Sequence, residues 1–219
     1  RPSAAAAAIL PSSRCPPVPL QGVSARGRLN GLLFELSVEQ TYRNTGGRNI
    51  EAVYTFPVPH HAVLLGLDLE IGERKLSGVA VRRQAASERY EEAMDQGNTA
   101  ALLEQAGDGL YTLSLGNLLA GEQAVIRYRY AELLDRHEDH IRLCVPTVIA
   151  PRYGDAEAGG LKPHQVPGVE LLAAYPFSLE IQVLGDQARA AFSSPSHPVQ
   201  VSAMDGGMRV TLAKGAELD

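Results

Sequence analysis

Carboxylates are densest in one stretch, ASERYEEAMDQGNTAALLEQ (86–105), which carries Glu88, Glu91, Glu92, Asp95 and Glu104. Such a cluster can supply general acids, metal ligands or a solvated helix face. Glycosidic chemistry needs two carboxyl groups about 5–9 Å apart across a cleft. From Gln84 to Gln96, Ala86, Tyr90, Ala93 and Gly97 recur at three-to-four spacing with Met94 beside them, which is one apolar stripe of a helix. Glu88, Glu91, Glu92 and Asp95 fall on the complementary arc and are expected to face solvent, where they form no cleft. Gly97 fits the left-handed residue that ends such a helix.

The other chemical groups are sparser. His137-Glu138-Asp139-His140 sets two imidazoles three apart with acids between them. The helical zinc motif needs a spacing of four so that both rings meet on one face. This segment lies between two strand patterns and reads as a polar hairpin tip. His60 and His61 follow a strand end, and neighbours on extended backbone point opposite ways, so they are not expected to share a ligand. No Gly-x-Ser-x-Gly, Gly-x-Gly-x-x-Gly or phosphate-loop pattern occurs. Cys144 sits in RLCVP, an apolar strand pattern in which a thiol is inert packing, and Cys15 lies in a tail. Two cysteines are too few for a disulfide framework, though a single bridge stays open in an oxidising compartment.

The elements that must position these groups are mostly strands. The chain has 219 residues, 45% hydrophobic, with no Trp, 5% aromatics and a net charge of −5. It carries no basic stripe and few stacking platforms, so nucleic acid is not an expected partner. No apolar run reaches the ~20 residues of a membrane helix, so no membrane insertion is expected. Residues 1–19, rich in Ala, Pro and Ser, read as a linker or arm. Period-two alternation then begins. Phe34, Leu36, Val38 and Tyr42 share one strand face, and NTGGRN marks a turn before IEAVYTFPVP. VLLGLDLEIGERKLSGVAV reads as a hairpin with Val63, Leu65, Leu67, Leu69 and Ile71 on one face and GERK as its turn. AALLEQ, LYTLSLGN, EQAVIRYRYAELL and IRLCVP read as further strands, with Ile126, Tyr128 and Tyr130 opposite Arg127 and Arg129. Residues 154–170 are a Pro- and Gly-rich loop. A second series follows in 171–219: PFSLEIQVLG, ARAAFSS, HPVQVSAMDGG and MRVTLAK. The fold class expected is mainly β and sandwich-like with one α-helix, followed by a smaller β unit. The chain opens at Arg1 and stops just past a strand pattern, which reads as a piece of something longer.

In order along residues 23–153, the chain carries Glu51-Ala52 and Tyr54 before Phe56-Pro57, then Tyr90-Glu91-Glu92-Ala93, Gly116-Asn117 and Ala150-Pro151-Arg152-Tyr153. This series resembles the vault protein inter-alpha-trypsin (VIT) domain. The resemblance implies a VIT domain over 20–153 in which the helix is structural, its tyrosine and alanines packed. Gly116 and Asn117 are expected to serve a turn between strands, since both tolerate positive φ. Arg152 would anchor a carboxylate or backbone carbonyls. In such proteins a von Willebrand type A domain follows and carries an Asp-x-Ser-x-Ser metal site. That motif is absent here, so no metal site is carried over. The strands from Phe177 to Ala213 look like the segment that bridges the two domains.

The expected function is therefore a non-catalytic protein-interaction or scaffold module. It would support a downstream von Willebrand type A adhesion domain and contact a protein or cell-surface partner. No catalytic, cofactor or metal residues are expected. An exposed apolar patch or edge strand would mark the docking site. The Ala-rich opening favours a bacterial homologue that is secreted, periplasmic or in the cell envelope. Two alternatives stay open. One is a carbohydrate or extracellular-matrix-binding module using Tyr111, Tyr128 and Tyr130, although Tyr128 and Tyr130 lie on the apolar side of their strand. The other is a metal-dependent hydrolase using His137, His140 and Glu138.

Overall fold

The computed structural model describes residues 9–11, 20–79, 83–98, 100–107, 109–146 and 175–213. They form two packed β-sheets, a short hairpin and one helix. The strands are β1 (Ile9–Pro11), β2 (Leu20–Asn30), β3 (Leu33–Arg43), β4 (Ile50–Pro57), β5 (Val63–Ile71) and β6 (Arg74–Ser77). After helix α1 (Arg83–Asp95) come β7 (Ala100–Gly107), β8 (Leu110–Leu118), β9 (Gln123–Leu133), β10 (Arg136–His137) and β11 (His140–Ile141). The series ends with β12 (Phe177–Leu184), β13 (Val199–Met204) and β14 (Gly207–Leu212). The larger sheet has the order β13-β14-β12-β2-β3-β9-β5-β6 and the smaller β1-β4-β8-β7.

Alternation along each strand builds the core. Phe34, Leu36, Val38 and Tyr42 point inward from β3 and meet Tyr128, Ile126 and Ala124 of β9 in the ladder or beside it. Ala52, Tyr54 and Phe56 of β4, with Leu113 and Leu115 of β8, close over them, all fully buried. Rings run through this layer: Tyr42 to Tyr54 at 5.4 Å, Tyr54 to Phe56 at 5.2 Å and Phe56 to Tyr128 at 4.2 Å between centroids. Such contacts add about 0.5–1.5 kcal/mol each beyond the area they bury.

Ile9–Pro11, inside the expected arm, pair with β4 as an edge strand. The expected loop at 154–170 lies outside the described residues. The strand unit expected after residue 170 is present as β12 to β14. It joins the larger sheet through a parallel pairing of β12 with β2, from Phe177 opposite Val23 to Leu184 opposite Asn30.

Three local expectations are corrected. In β5 the register slips between Leu64 and Gly66, so Leu64 turns toward the core while Val63 and Leu65 are exposed. A bulge adds one residue and reverses the face. IRLCVP forms a ladder only at Ile141; Leu143 and Val145 stay partly buried and Arg142 and Cys144 exposed, so the alternation survives without a strand partner among the described residues. ARAAFSS is not a strand either. Gly185, at φ +69°, turns the chain into a short 3-10 segment, Gly185–Arg189. Pro195 and Pro198, just past the segment, lack donors of their own, and the next ladder begins only at Val199.

Candidate interaction surface

The acidic helix is anchored at its C-terminal end. Gly97, at φ +73°, donates to Met94 O (2.9 Å), and Asn98 donates to Ala93 O (2.9 Å). This pair of bonds satisfies carbonyls the helix leaves open. Tyr90, Ala86, Ala93 and Met94 are partly buried, whereas Glu88, Glu91, Glu92 and Asp95 are exposed. The acids therefore line the wet side, and Glu104 lies apart from them on β7. Burial against the sheet, with the nearby Glu51 charge, pushes the Tyr90 hydroxyl up to about 12.

His137 and His140 face each other across the β10–β11 hairpin with ring centroids 6.1 Å apart. Glu138 holds φ +49° at its tip. Asp139 Oδ1 accepts from His140 Nδ1 at 3.2 Å, in the open, and this contact holds its carboxyl below the usual range. His60 and His61 differ from expectation. They sit in a turn closed by Ala62 N–H to Pro59 O (2.9 Å), so their rings meet edge to face at 4.7 Å. Turn backbone lacks the strict alternation of a strand, which removes the reason they were expected to diverge. Among the described residues no three His, Cys, Asp or Glu side chains are grouped to hold a metal. Cys144 is also corrected: its thiol is exposed and free, and its segment has no strand partner among the described residues. Cys15 lies outside the described residues.

The tyrosines considered for a glycan platform belong to the core. Tyr128 and Tyr130 are 4% and 1% exposed, and Tyr111 stacks on Phe56 at 5.7 Å. Burial pushes the Tyr128 and Tyr130 hydroxyls well up, as it does Tyr42 and Tyr54. Tyr42 donates to Gln40 Oε1 at 3.2 Å. A cavity of about 40 Å³ beside Gln40, Tyr128 and Tyr130 holds water-sized occupants only.

The outer face of the larger sheet is polar over most of its width. Arg127 donates to Glu39 and to Glu70, each at 2.6 Å, and Lys75 reaches Glu70 at 3.1 Å. The Arg127 hydrogen bond, then Lys75, holds the Glu70 carboxyl below its usual range. One end of this face is different. Leu33 is paired with Leu133 and Val63 with Ala131, and Leu65 occupies the β5 bulge. Leu33, Val63, Leu65 and Leu133 are 46%, 64%, 49% and 71% exposed, four of the seven exposed large apolar side chains among the described residues. Contiguity of this kind marks an interaction site more often than single exposed leucines do.

The model of the Vault protein inter-alpha-trypsin domain family matches residues 20–130 of this chain. The chain belongs to the VIT family. Protein mono-ADP-ribosyltransferase PARP4 of Mus musculus is 28% identical over 206 residues, covering 93% of this VIT chain and 10% of that protein. The von Willebrand factor A domain-containing protein 5A of Rattus norvegicus is 27% identical over 169 residues, covering 75% of this chain and 20% of that protein. The VIT chain thus spans between a tenth and a fifth of the length of these relatives. Among solved structures, an M1 zinc metallopeptidase from Deinococcus radiodurans aligns with a TM-score of 0.40 and 11% identity, over 95% of this chain and 40% of that one. At that score it says nothing of this chain's chemistry.

The VIT signature residues have structural jobs. Ala52, Tyr54 and Phe56 are core. Gly116 and Asn117 do not form a turn between strands, as expected; they lie inside β8. Ile50 pairs with Leu118 and Ala52 with Leu115, so the two residues make a bulge opposite Glu51, and Asn117 holds φ +55°. The bulge seats the VIT helix. A Cβ on Gly116 would lie 1.8 Å from Met94 Sδ, and Asn117 Nδ2 donates to Asn98 O at 3.0 Å. Ala150, Pro151, Arg152 and Tyr153 lie outside the described residues. Sequence reading missed Asn44, which is 2% exposed. Its Nδ2 donates to Arg48 O (2.9 Å), Leu119 O (3.0 Å) and Leu118 O (3.2 Å), tying the β3–β4 loop to the β8–β9 turn. Asparagine in a turn sequence was the available signal, but the Leu118 and Leu119 carbonyls it reaches are 74 and 75 residues away. Among the described residues no helix is long and apolar enough to cross a membrane.

Proposed function

We propose that this VIT domain is a non-catalytic docking module that supports a von Willebrand type A adhesion domain, the kind of domain named in several of its relatives. The observation that carries this is the Leu33–Val63–Leu65–Leu133 patch, exposed on a sheet face otherwise occupied by ion pairs. Burying it against a partner would remove four large apolar side chains from water, each worth about 1.5–3 kcal/mol when fully covered. Ion pairs around it contribute little to affinity and more to orientation. The ADP-ribosyltransferase activity named for the mouse relative belongs to a protein of which this chain matches a tenth, and no such activity is proposed here.

A glycan platform is less favoured, because Tyr128 and Tyr130 are buried and the cavity beside them is far below ligand size. A hydrolase centred on His137 is less favoured, because its hairpin is exposed and has no third ligand among the described residues. The test is calorimetric titration of a purified von Willebrand type A domain into this chain and into a Leu133→Asp variant. Binding by the parent chain that the variant loses, with an unchanged melting temperature, supports the proposal. Equal binding by both, or none by either, removes this docking surface.

A further inference from the structure

The two sheets end in four edge strands among the described residues, and three are protected. β1 is three residues long and ends in Pro11. β7 has α1 packed against it. β6 is four residues long and carries Arg74 and Lys75, both ion-paired. Short length, proline, charge and cover are the usual means of blocking edge-to-edge pairing. β13 has none of them among the described residues. It runs six residues, Val-Gln-Val-Ser-Ala-Met, with no charge and no proline, and Gln200 to Ala203 are all exposed. Its inner row, Val199, Val201 and Ala203, pairs with Leu212, Val210 and Met208 of β14 and continues the apolar face of Ile181 and Val183. Its outer row is Gln200, Ser202 and, at the strand end, Met204.

We propose that β13 is a self-association edge, at which two copies of this chain pair their β13 strands antiparallel about a two-fold axis through Val201. That register sets Val201 against Val201, Val199 against Ala203 and Gln200 against Ser202. From Val199 to Ala203 each apolar side chain meets an apolar one and each polar one a polar one, and β13 holds no charge to repel its copy. A slip by one residue would bring inner rows against outer rows, and a slip by two would set Gln200 against Met204 or draw Pro198 into the ladder opposite Ser202, so the Val201 axis gives the best match. A two-fold interface must be self-complementary in this way. The contact is small. Six residues span about 20 Å and a sheet is about 10 Å deep, so the two copies together bury on the order of several hundred Å², short of the roughly 1,200 Å² total of stable interfaces. The dimer is therefore weak and reversible.

Sedimentation velocity on the 219-residue chain over a dilution series tests this. The expected result is a sedimentation coefficient that rises with concentration and falls back on dilution. Val201→Lys, which sets two ammonium groups against each other at the axis, is expected to stay monomeric throughout. Val201 is 39% exposed, so this variant should melt as the parent does. The register is read separately in a Cys15→Ser, Cys144→Ser background, where oxidation should link copies of Val201→Cys far more readily than copies of Ser202→Cys. A parent chain that is monomeric at every concentration overturns the proposal. So does a dimer that survives Val201→Lys, or one in which Val201→Cys fails to cross-link.

Discussion

Replacing Gly116 with Ala tests how the helix is held. The new Cβ would lie 1.8 Å from Met94 Sδ, 2.8 Å from Cε and 3.3 Å from Cγ. Carbon and sulfur need about 3.5–4 Å, so Met94 must move by about 2 Å. Met94 is partly buried, and swinging it into solvent forfeits about half the value of a buried methionine, roughly 1–1.5 kcal/mol. If the helix lifts instead, overpacking costs about 1–3 kcal/mol. Replacing glycine in a strand returns about 0.5–1 kcal/mol of chain entropy. The net expectation for Gly116→Ala is about 0.5–2 kcal/mol of destabilisation. Met94→Ala alone should cost about 1–2 kcal/mol, less than a fully buried site because the side chain is only partly covered. In the double variant the Cβ occupies space the thioether has left, so it should be no less stable than Met94→Ala. The coupling is then about −1 kcal/mol, measured by urea unfolding of all four proteins. Hydrogen exchange at α1 amides reports whether the helix lifts. Additivity within about 0.3–0.5 kcal/mol would refute the claim that this glycine exists to seat Met94.

Other consequences are equally direct. Gly27→Ala would place a Cβ 2.7 Å from Cε2 and 2.9 Å from Cζ of Phe34, a fully buried ring; a loss of about 1–3 kcal/mol is expected, partly recovered by Phe34→Leu in thermal unfolding. Asn44→Ala removes the donor for three carbonyls and should cost about 1–3 kcal/mol by urea unfolding, a cost that Asn44→Asp should not recover, because the carboxylate cannot donate. The Glu132 carboxyl is held above its usual range by burial, offset in part by His61, and its Oε1 has no partner. A carboxyl raised in the folded state contributes stability below its unfolded pKa and loses it as pH rises through the folded one. Glu132→Gln should therefore gain stability over the parent at neutral pH and match it in acid; a gain of equal size at both would sink this account. Alkaline titration of tyrosine absorbance should leave Tyr42, Tyr54, Tyr90, Tyr128 and Tyr130 protonated past the ordinary phenol range until the fold opens, since all five are raised by burial.

Short-range pattern was enough to find most of the parts. Burial on one side of a strand writes period two into the sequence, so Phe34, Leu36, Val38 and Tyr42 were legible as core, as were Tyr128 and Tyr130. The helix stripe and its closing Gly97 were legible for the same reason, and with them the exposure of Glu88, Glu91, Glu92 and Asp95. Pairing was not legible, because it depends on residues far apart in the chain. Nothing local says that β12 runs parallel to β2, that Asn44 reaches the β8–β9 turn, or that Gly116 is bare to admit Met94. A single bulge in β5 reversed the faces of Val63 and Leu65 and so put them beside Leu33 and Leu133. With no ladder partner past Ile141 among the described residues, IRLCVP kept its alternation but left Cys144 exposed. The sequence by itself determined the strands, the helix and which side chains prefer the interior, since these follow from local burial. Only the tertiary structure decided which edges are open and where exposed apolar side chains converge, because both are set by which strands become neighbours.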